Sequence, residues 1–380
     1  MSPLRILLLS PYHGKSSHAA WAEGYRARSR HSIEIVGLAD RAWAWRMRGG
    51  SVGLWESLSP EAYESDLILA TSMTDLAGLL GLLRGTQLAT KPVVYYVHEN
   101  QLSYPIRKEG LRDRGLAWLQ FTSMLCADEI WFNSEHNRRS WFAALPEFLR
   151  DCPDPHGTEQ VERLQARSKV VPVGLSLPPL KAKPAYQGGP PLLLWNQRWE
   201  WDKNPEAFIG LVTEMLRYLD FQVVMLGQYP KREPPDLTDF KGKLGSRLVH
   251  FGWCSREEYL GWLERATLTV STARHEFFGI SVLEAAAHGV PPLLPRRLAY
   301  PELLSPELFP ALFYRHEGEL EKKAAAALQN PSSWLAQGPE LQKAAYRFAW
   351  PQVGELYDDL LERLSVEAET TRLRPLAFPS

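Results

Sequence analysis

Two glutamates stand eight positions apart in the stretch RHEFFGISVLEAAAHGVPPLLP, which runs from Arg274 to Pro295. The run LTVSTA before it has the composition of a strand, and ISVLEAAAHG has the pattern of a helix closed by Gly289. Glu276 then lies in the loop joining the two, and Glu284 about one turn inside the helix. The backbone N–H groups of Gly279, Ile280 and Ser281 form the helix N-terminus, which favours an anion and phosphate above all. A carboxylate accepts paired hydrogen bonds from vicinal hydroxyls such as those of a ribose or a hexose. One short segment thus offers a phosphate cradle flanked by two hydroxyl acceptors, the chemistry of a nucleotide-sugar site. An acidic loop beside an ordinary helix would carry the same two residues.

A second segment, LLLWNQRWEWDKNPEAF, places Arg198 and Lys203 just after a strand. Two cations there neutralise diphosphate charge and stabilise a departing nucleoside diphosphate without a metal. Asn204 and Pro205 read as the cap and first residue of the next helix. His275, beside Glu276, is counted with the donor contacts. In YYVHENQLSYP, His98 ends a strand, where it can hydrogen-bond a transferred sugar or act on an acceptor hydroxyl. A structural histidine bonded to backbone would occupy the same position. Asn100 in that segment is placed on the acceptor side. So are His13 and Gly14 after the first strand, with Gly14 allowing close approach of a ligand. His13 and His18 have no carboxylate or further histidine beside them, so no metal site is expected.

These residues need strand ends to carry them. RILLLS, SIEIVGL, DLILA, VVYYVH, EIWFNS and KVVPVG read as strands, alternating with helical stretches such as HAAWAEGYRARS, MTDLAGLLGLLRG and LAWLQFTSMLCAD. That order argues for a parallel sheet covered on both faces. A proline- and glycine-rich segment at about residues 174–190 reads as a linker, after which LLLWNQ, FQVVMLG, RLVHFG, ATLTVSTA and VPPLLP repeat the pattern. The fold class expected is α/β, with two doubly wound Rossmann-like domains facing a central cleft. Residues 1–175 form the acceptor domain and 190–345 the donor domain. Residues 346–380 form a final helix packing back on the first domain, ending in a loosely held tail. Ligands of open α/β sheets bind beyond the carboxyl ends of the strands.

With 380 residues, 45% hydrophobic and 23% charged, the chain has material for two cores. No run reaches the ~18 apolar residues that span a bilayer, and the opening MSPLRILLLS lacks a signal-peptide cleavage site. Three scattered cysteines, Cys126, Cys152 and Cys254, form neither a disulfide framework nor a zinc site. A cytoplasmic protein is expected. The net charge of −1 excludes global attraction to nucleic acid. Local basic clusters remain at Arg26, Arg28, Arg30 and His31, at Arg41, Arg46 and Arg48, and at Arg107, Lys108, Arg112 and Arg114. The second interleaves with Trp43 and Trp45, as in a patch for stacking and phosphate contact; a solvated face with packed tryptophans has the same composition.

Glu276, Phe278, Gly279 and Glu284 resemble the motif of the retaining glycosyltransferases of the GT-B fold, in which Arg198 and Lys203 match the basic pair for the diphosphate. The first half resembles a narrower group. PYHGKSSHAAWAEGYRARSRHSIEIVGLADRAWAWRMRGG, DLILATSMTDLAGLLGL, VVYYVHENQLSYP and ADEIWFNSEHNRRSWFAALPEFL, with STARHEFFGISVLEAAAHGVPPLLPRRLAYPEL, are similar to the tRNA-queuosine mannosyltransferases. These blocks spread over about residues 8–304. The resemblance implies metal-independent transfer of mannose from GDP-mannose, with retention and without a cofactor. The acceptor implied is the cyclopentenediol of queuosine at the wobble position of tRNA-Asp. It also implies that the segment around Arg46 and Arg48 takes part in acceptor recognition, consistent with RNA readers that stack bases on aromatics. A glycosyltransferase acting on a lipid or polysaccharide, and a non-catalytic nucleotide- or tRNA-binding protein, are the other readings.

Overall fold

A computed structural model of the chain describes residues 2–105, 113–153, 157, 159–181, 183, 185–227 and 235–372. Arg107, Lys108 and Arg112 lie outside the described residues, as do 182 and 184 of the proline-rich segment and 373–380 of the tail. The chain divides into two compact units, one made of Met1–Ser176 with Phe348–Ser380, the other of Leu177–Arg347.

The first unit holds six parallel strands: β1 (Arg5–Ser10), β2 (Ser32–Gly37), β3 (Leu67–Thr71), β4 (Val93–Val97), β5 (Glu129–Phe132) and β6 (Ser168–Val170). Their spatial order is β2-β1-β3-β4-β5-β6. Leu8 of β1 faces Ile35 on one side and Leu69 on the other. The central strands are buried throughout because helices cover both faces, which is why they read as unbroken apolar runs. The order reverses between β1 and β3, so the loops after these strands frame a crevice.

Helix Trp43–Glu56 in this unit has no counterpart among the helices expected from sequence. It contains Gly49, Gly50 and Gly53, poor helix formers in isolation. Their use is close packing: a Cβ on Gly50 would lie 3.0 Å from Cβ of Pro11, and one on Gly53 3.1 Å from Cδ1 of Leu38. The final helix, Trp350–Arg372, belongs to the same unit. Tyr357 on it donates to the carbonyl of Pro172 at 2.7 Å and receives Nε1 of Trp21 at 3.1 Å. The buried carboxylate of Asp358 accepts from Tyr25, Ser29 and the backbone of Arg30.

The second unit also has six parallel strands: β7 (Leu192–Trp195), β8 (Gln222–Leu226), β9 (Leu248–Gly252), β10 (Leu268–Val270), β11 (Pro292–Pro295) and β12 (Phe313–Tyr314). The order is β12-β11-β10-β7-β8-β9. Two-residue β12 is too short to register as a strand from sequence. Here the order reverses between β7 and β10, and the segments singled out for their chemistry leave those two strands.

Candidate active site

The loops after β7 and β10 are joined across the reversal by specific bonds. Asn196 donates to the carbonyl of Ser281 at 3.1 Å, and Gln197 to its hydroxyl at 2.9 Å. Thr272 donates to the carbonyls of Lys203 and Asn204, both at 2.9 Å, and the backbone N–H of Arg274 reaches the carbonyl of Asp202 at 2.7 Å. The start of helix Ile280–Ala287 is therefore held by residues some 80 positions upstream, as the separations of 84 and 85 show.

Gly279 caps that helix with φ of +117°, a conformation that L side chains rarely adopt. A Cβ there would also come within 3.0 Å of Leu303 and 3.2 Å of Tyr300. Val282 and Leu283 donate back to the Gly279 carbonyl. The N–H groups of Gly279, Ile280 and Ser281 precede them, at the end where a helix lacks internal acceptors.

Lys203 and Glu276 come together here. The ammonium of Lys203 lies 3.2 Å from Oε2 of Glu276 and 3.2 Å from Oδ2 of Asp202, and donates to the His275 carbonyl at 3.0 Å. Lys203 and Asp202 are buried, and Glu276 is half-buried. Burial by itself would lower the lysine's pKa, but Glu276 and Asp202 outweigh it and hold the ammonium above its ordinary value. Burial would likewise raise the Glu276 carboxyl, which Lys203 holds below its ordinary value. Glu276 is thus an ionised hydrogen-bond acceptor and Lys203 a fixed cation behind it. This differs from an open basic pair: Arg198 is the exposed cation, 3.3 Å from Glu200. His275 is buried with its ring edge-on to Phe277, centroids 4.2 Å apart.

Glu284 faces a different set. Arg256 donates to its Oε1 at 2.6 Å and Tyr259 to its Oε2 at 2.8 Å, both from helix Arg256–Arg265. A capping box of Ser255 and Glu258 fixes the start of that helix. Asn196 in turn donates to the Tyr259 hydroxyl at 3.2 Å. The carboxylate is oriented before any hydroxyl arrives. Pro205 opens helix Pro205–Met215 as expected, but Asn204 makes no side-chain cap; it sits at φ of 54° and accepts from Arg274 at 2.8 Å.

In the first unit, His98 follows β4 and is buried among His18, Trp21 and Tyr96, with ring centroids 4.5, 4.7 and 4.4 Å away. Burial, with His18 beside it, pushes the imidazole well below its ordinary pKa, so the ring is neutral at pH 7. Among the described residues its Nε2 has no hydrogen-bond partner, although it is buried. Its backbone carbonyl accepts from Asn133 at 2.9 Å.

The other residues placed on the acceptor side have internal partners. Asn100 is fully buried, donating to Asn137 and Ser140 and accepting from Ser103, so its amide shapes the loop. The space beside Gly14 is filled by the Asp40 carboxylate, and His13 packs on Gly37 with Nε2 3.5 Å from Glu23. Arg46 donates to the Ala39 carbonyl at 3.1 Å, and Arg48 pairs with Asp113, the N-cap of helix Arg114–Leu125. Trp43, Trp45 and Trp55 on the same helix are exposed. Sequence reasoning missed Asp202, Arg256, Tyr259, Asn196 and Gln197. Asp202 was legible as the neighbour of a basic residue; the others bear on the site only through space.

Two parallel α/β units, the second with an ionised carboxylate, a fixed cation and a helix N-terminus at its strand reversal, define a glycosyltransferase of the GT-B class. The same architecture is found in a sucrose-phosphate synthase from Thermosynechococcus elongatus, at TM-score 0.69 and 16% identity over 96% of this chain and 100% of that one. An Anabaena protein solved with UDP-glucose, HepE, aligns at TM-score 0.67 and 14% identity over 95% and 100%. Residues 5–175 match the model of the tRNA-queuosine alpha-mannosyltransferase N-terminal domain, and residues 178–343 that of the glycosyl transferases group 1. A tRNA-queuosine alpha-mannosyltransferase from Drosophila melanogaster is 34% identical over 314 residues, 80% of this chain and 82% of the relative. The chain belongs to the tRNA-queuosine alpha-mannosyltransferase family. No helix among the described residues is long and apolar enough to cross a membrane.

Proposed function

We propose that the protein transfers mannose, with retention, from GDP-mannose to the cyclopentenediol of queuosine at the wobble position of tRNA-Asp, in the cytoplasm. The observation that carries this reading is the Lys203–Glu276 pair beside the Gly279 helix end, in a chain of this family. The diphosphate rests on the N–H groups of Gly279 and Ile280 and on Arg198. Glu284, pre-oriented by Arg256 and Tyr259, takes the ribose hydroxyls, and Glu276 the hydroxyls of the mannose. Kept ionised by Lys203, Glu276 accepts hydrogen bonds and donates no proton. The acceptor oxygen attacks the anomeric carbon on the face that the phosphate leaves. The bond from that carbon to the phosphate oxygen breaks, and the departing phosphate takes the acceptor proton.

The first unit takes the acceptor, with the neutral imidazole of His98 assigned to a hydroxyl of the sugar or of the cyclopentenediol. Arg198, Lys203 and the helix end supply the positive charge in a metal-independent reaction, so EDTA is expected to leave the rate unchanged. The decisive experiment incubates the protein with labelled GDP-mannose and tRNA that contains or lacks queuosine. Label confined to the queuosine-containing tRNA is expected. Equal labelling of both, or of neither, would overturn the assignment.

A further inference from the structure

The second unit carries a cavity of about 240 Å³ beside the donor loops that the donor chemistry does not use. Its lining brings together Arg296 and Arg297, just after β11, with Arg315 and His316, just after β12. Asn204 and Glu317 complete the wall, and Thr272 joins it from the loop after β10. The lining therefore holds three arginines and one carboxylate residue. Arg297 is already fixed, donating to the carbonyls of Ala273 at 2.9 Å and Arg274 at 3.4 Å. Arg296 leans 3.8 Å towards Glu307 on the exposed side. Among the described residues the Arg315 guanidinium makes no direct hydrogen bond or close ion pair, but its charge acts on the nearby Glu319 carboxylate, which also holds its backbone N–H.

Two further features have the same sign. Helices Pro205–Met215 and Glu317–Gln329 both begin at the cavity wall, where their positive dipole ends lie. His316 accepts the Glu319 N–H on Nδ1 at 3.3 Å, which leaves the ring proton on Nε2 as a donor. Forked guanidiniums around a small open cavity match the geometry of phosphate oxygens.

We infer that this cavity binds a backbone phosphate of the RNA acceptor, on the assumption of the RNA-directed function proposed above. Asn204 and Thr272 line the cavity and also bond the loops that bear Lys203 and Glu276. An RNA whose hydroxyl reaches the sugar at Glu276 must carry its flanking phosphates past those loops. With a net charge of −1 the chain has no general attraction for RNA, so its affinity has to come from local cationic sites of this kind.

The test measures tRNA affinity against salt concentration for the wild type, Arg315→Ala, Arg296→Ala and the double variant, with KM for GDP-mannose determined in parallel. Each substitution is expected to weaken tRNA binding several-fold and to lower the slope of log K against log salt by about 0.7–0.9 for every phosphate no longer neutralised. Arg315→Lys is expected to keep much of the slope. Unchanged affinity and slope in the double variant, or no tRNA binding by the wild type, overturns the inference. A raised KM for GDP-mannose with unaltered tRNA binding also overturns it, by assigning the anion to the donor diphosphate. If the wild type binds tRNA but transfers nothing to it, the proposed function fails while the arginine dependence of binding still decides this site.

Discussion

Lys203 Nζ lies 3.2 Å from Oε2 of Glu276, and the two residues sit on loops that leave different strands on either side of a sheet reversal. The pair keeps the Glu276 carboxylate ionised in a desolvated setting. Glu276→Gln keeps the shape but loses the charge, and is expected to lower kcat by about 10²-fold or more. Lys203→Ala leaves Glu276 and Asp202 without their cation, and is expected to cost about 3–5 kcal/mol of stability along with activity. Steady-state kinetics and thermal melts separate these effects.

The same pair sets a pH window. The folded pKa of Glu276 is depressed, so its contribution is fully present above its ordinary 4.5 and fades as pH falls through the folded value. The folded pKa of Lys203 is raised, so its contribution is present below 10.5 and fades as pH rises through the folded value. Stability from this contact should therefore be flat between those limits. Melting temperature followed from pH 7 down to 3 should fall less steeply in Glu276→Gln than in the wild type.

Tyr259 tests whether Glu284 must be oriented in advance. Tyr259→Phe removes one of its two side-chain donors and leaves Arg256 in place. A hydrogen bond to a charged group is worth about 1.5–3 kcal/mol, so KM for GDP-mannose is expected to rise about tenfold or more with kcat little changed. An equal fall in kcat at unchanged KM would place Glu284 at the reacting centre instead.

Gly279→Ala introduces a side chain at φ of +117° and 3.0 Å from Leu303. Backbone strain of this kind costs about 1–3 kcal/mol. The variant should melt earlier, and donor binding measured by calorimetry should weaken because the N–H cradle moves.

His98 is buried and neutral, and its unfolded counterpart takes up a proton near its ordinary value of 6.5. The folded state therefore loses stability as pH falls below that value. His98→Gln should lose this acid sensitivity in melts and lower transfer by about 10²-fold. A histidine titration of the wild-type rate between pH 6.5 and 8 that disappears in His98→Gln would argue against a neutral His98.

Trp45 is 63% exposed and packs along Gly49, 2.7 Å from where a Cβ of that glycine would stand. If one face of the indole receives an unstacked base, Trp45→Ala should weaken tRNA binding by about 1–3 kcal/mol. Its melting temperature and its KM for GDP-mannose should match the wild type.

Much of this was open to the sequence because it is local. The eleven segments read as strands correspond to β1–β11: β3, β4, β7 and β10 are buried on both faces and need unbroken apolar runs, while the partly exposed β2, β6 and β9 were marked by their branched residues. Glu276, Gly279 and Glu284 share one loop and one helix end, so their spacing alone relates the carboxylates to the helix N-terminus. Helix Trp43–Glu56 escaped because its glycines serve contacts with Pro11 and Leu38 that no local pattern reveals.

By itself, then, the sequence determined the class of fold, the strand ends that bear chemistry and the nucleotide-sugar motif, since each depends on neighbours along the chain. Only the tertiary structure decided that Lys203 is buried behind Glu276, that Arg256 and Tyr259 hold Glu284, and that Asn100 is occupied internally. It also gathered Arg296, Arg297 and Arg315 around one cavity with two helix ends. Those outcomes depend on desolvation and on distances between segments far apart in sequence, and a charge has no partner until the fold supplies one.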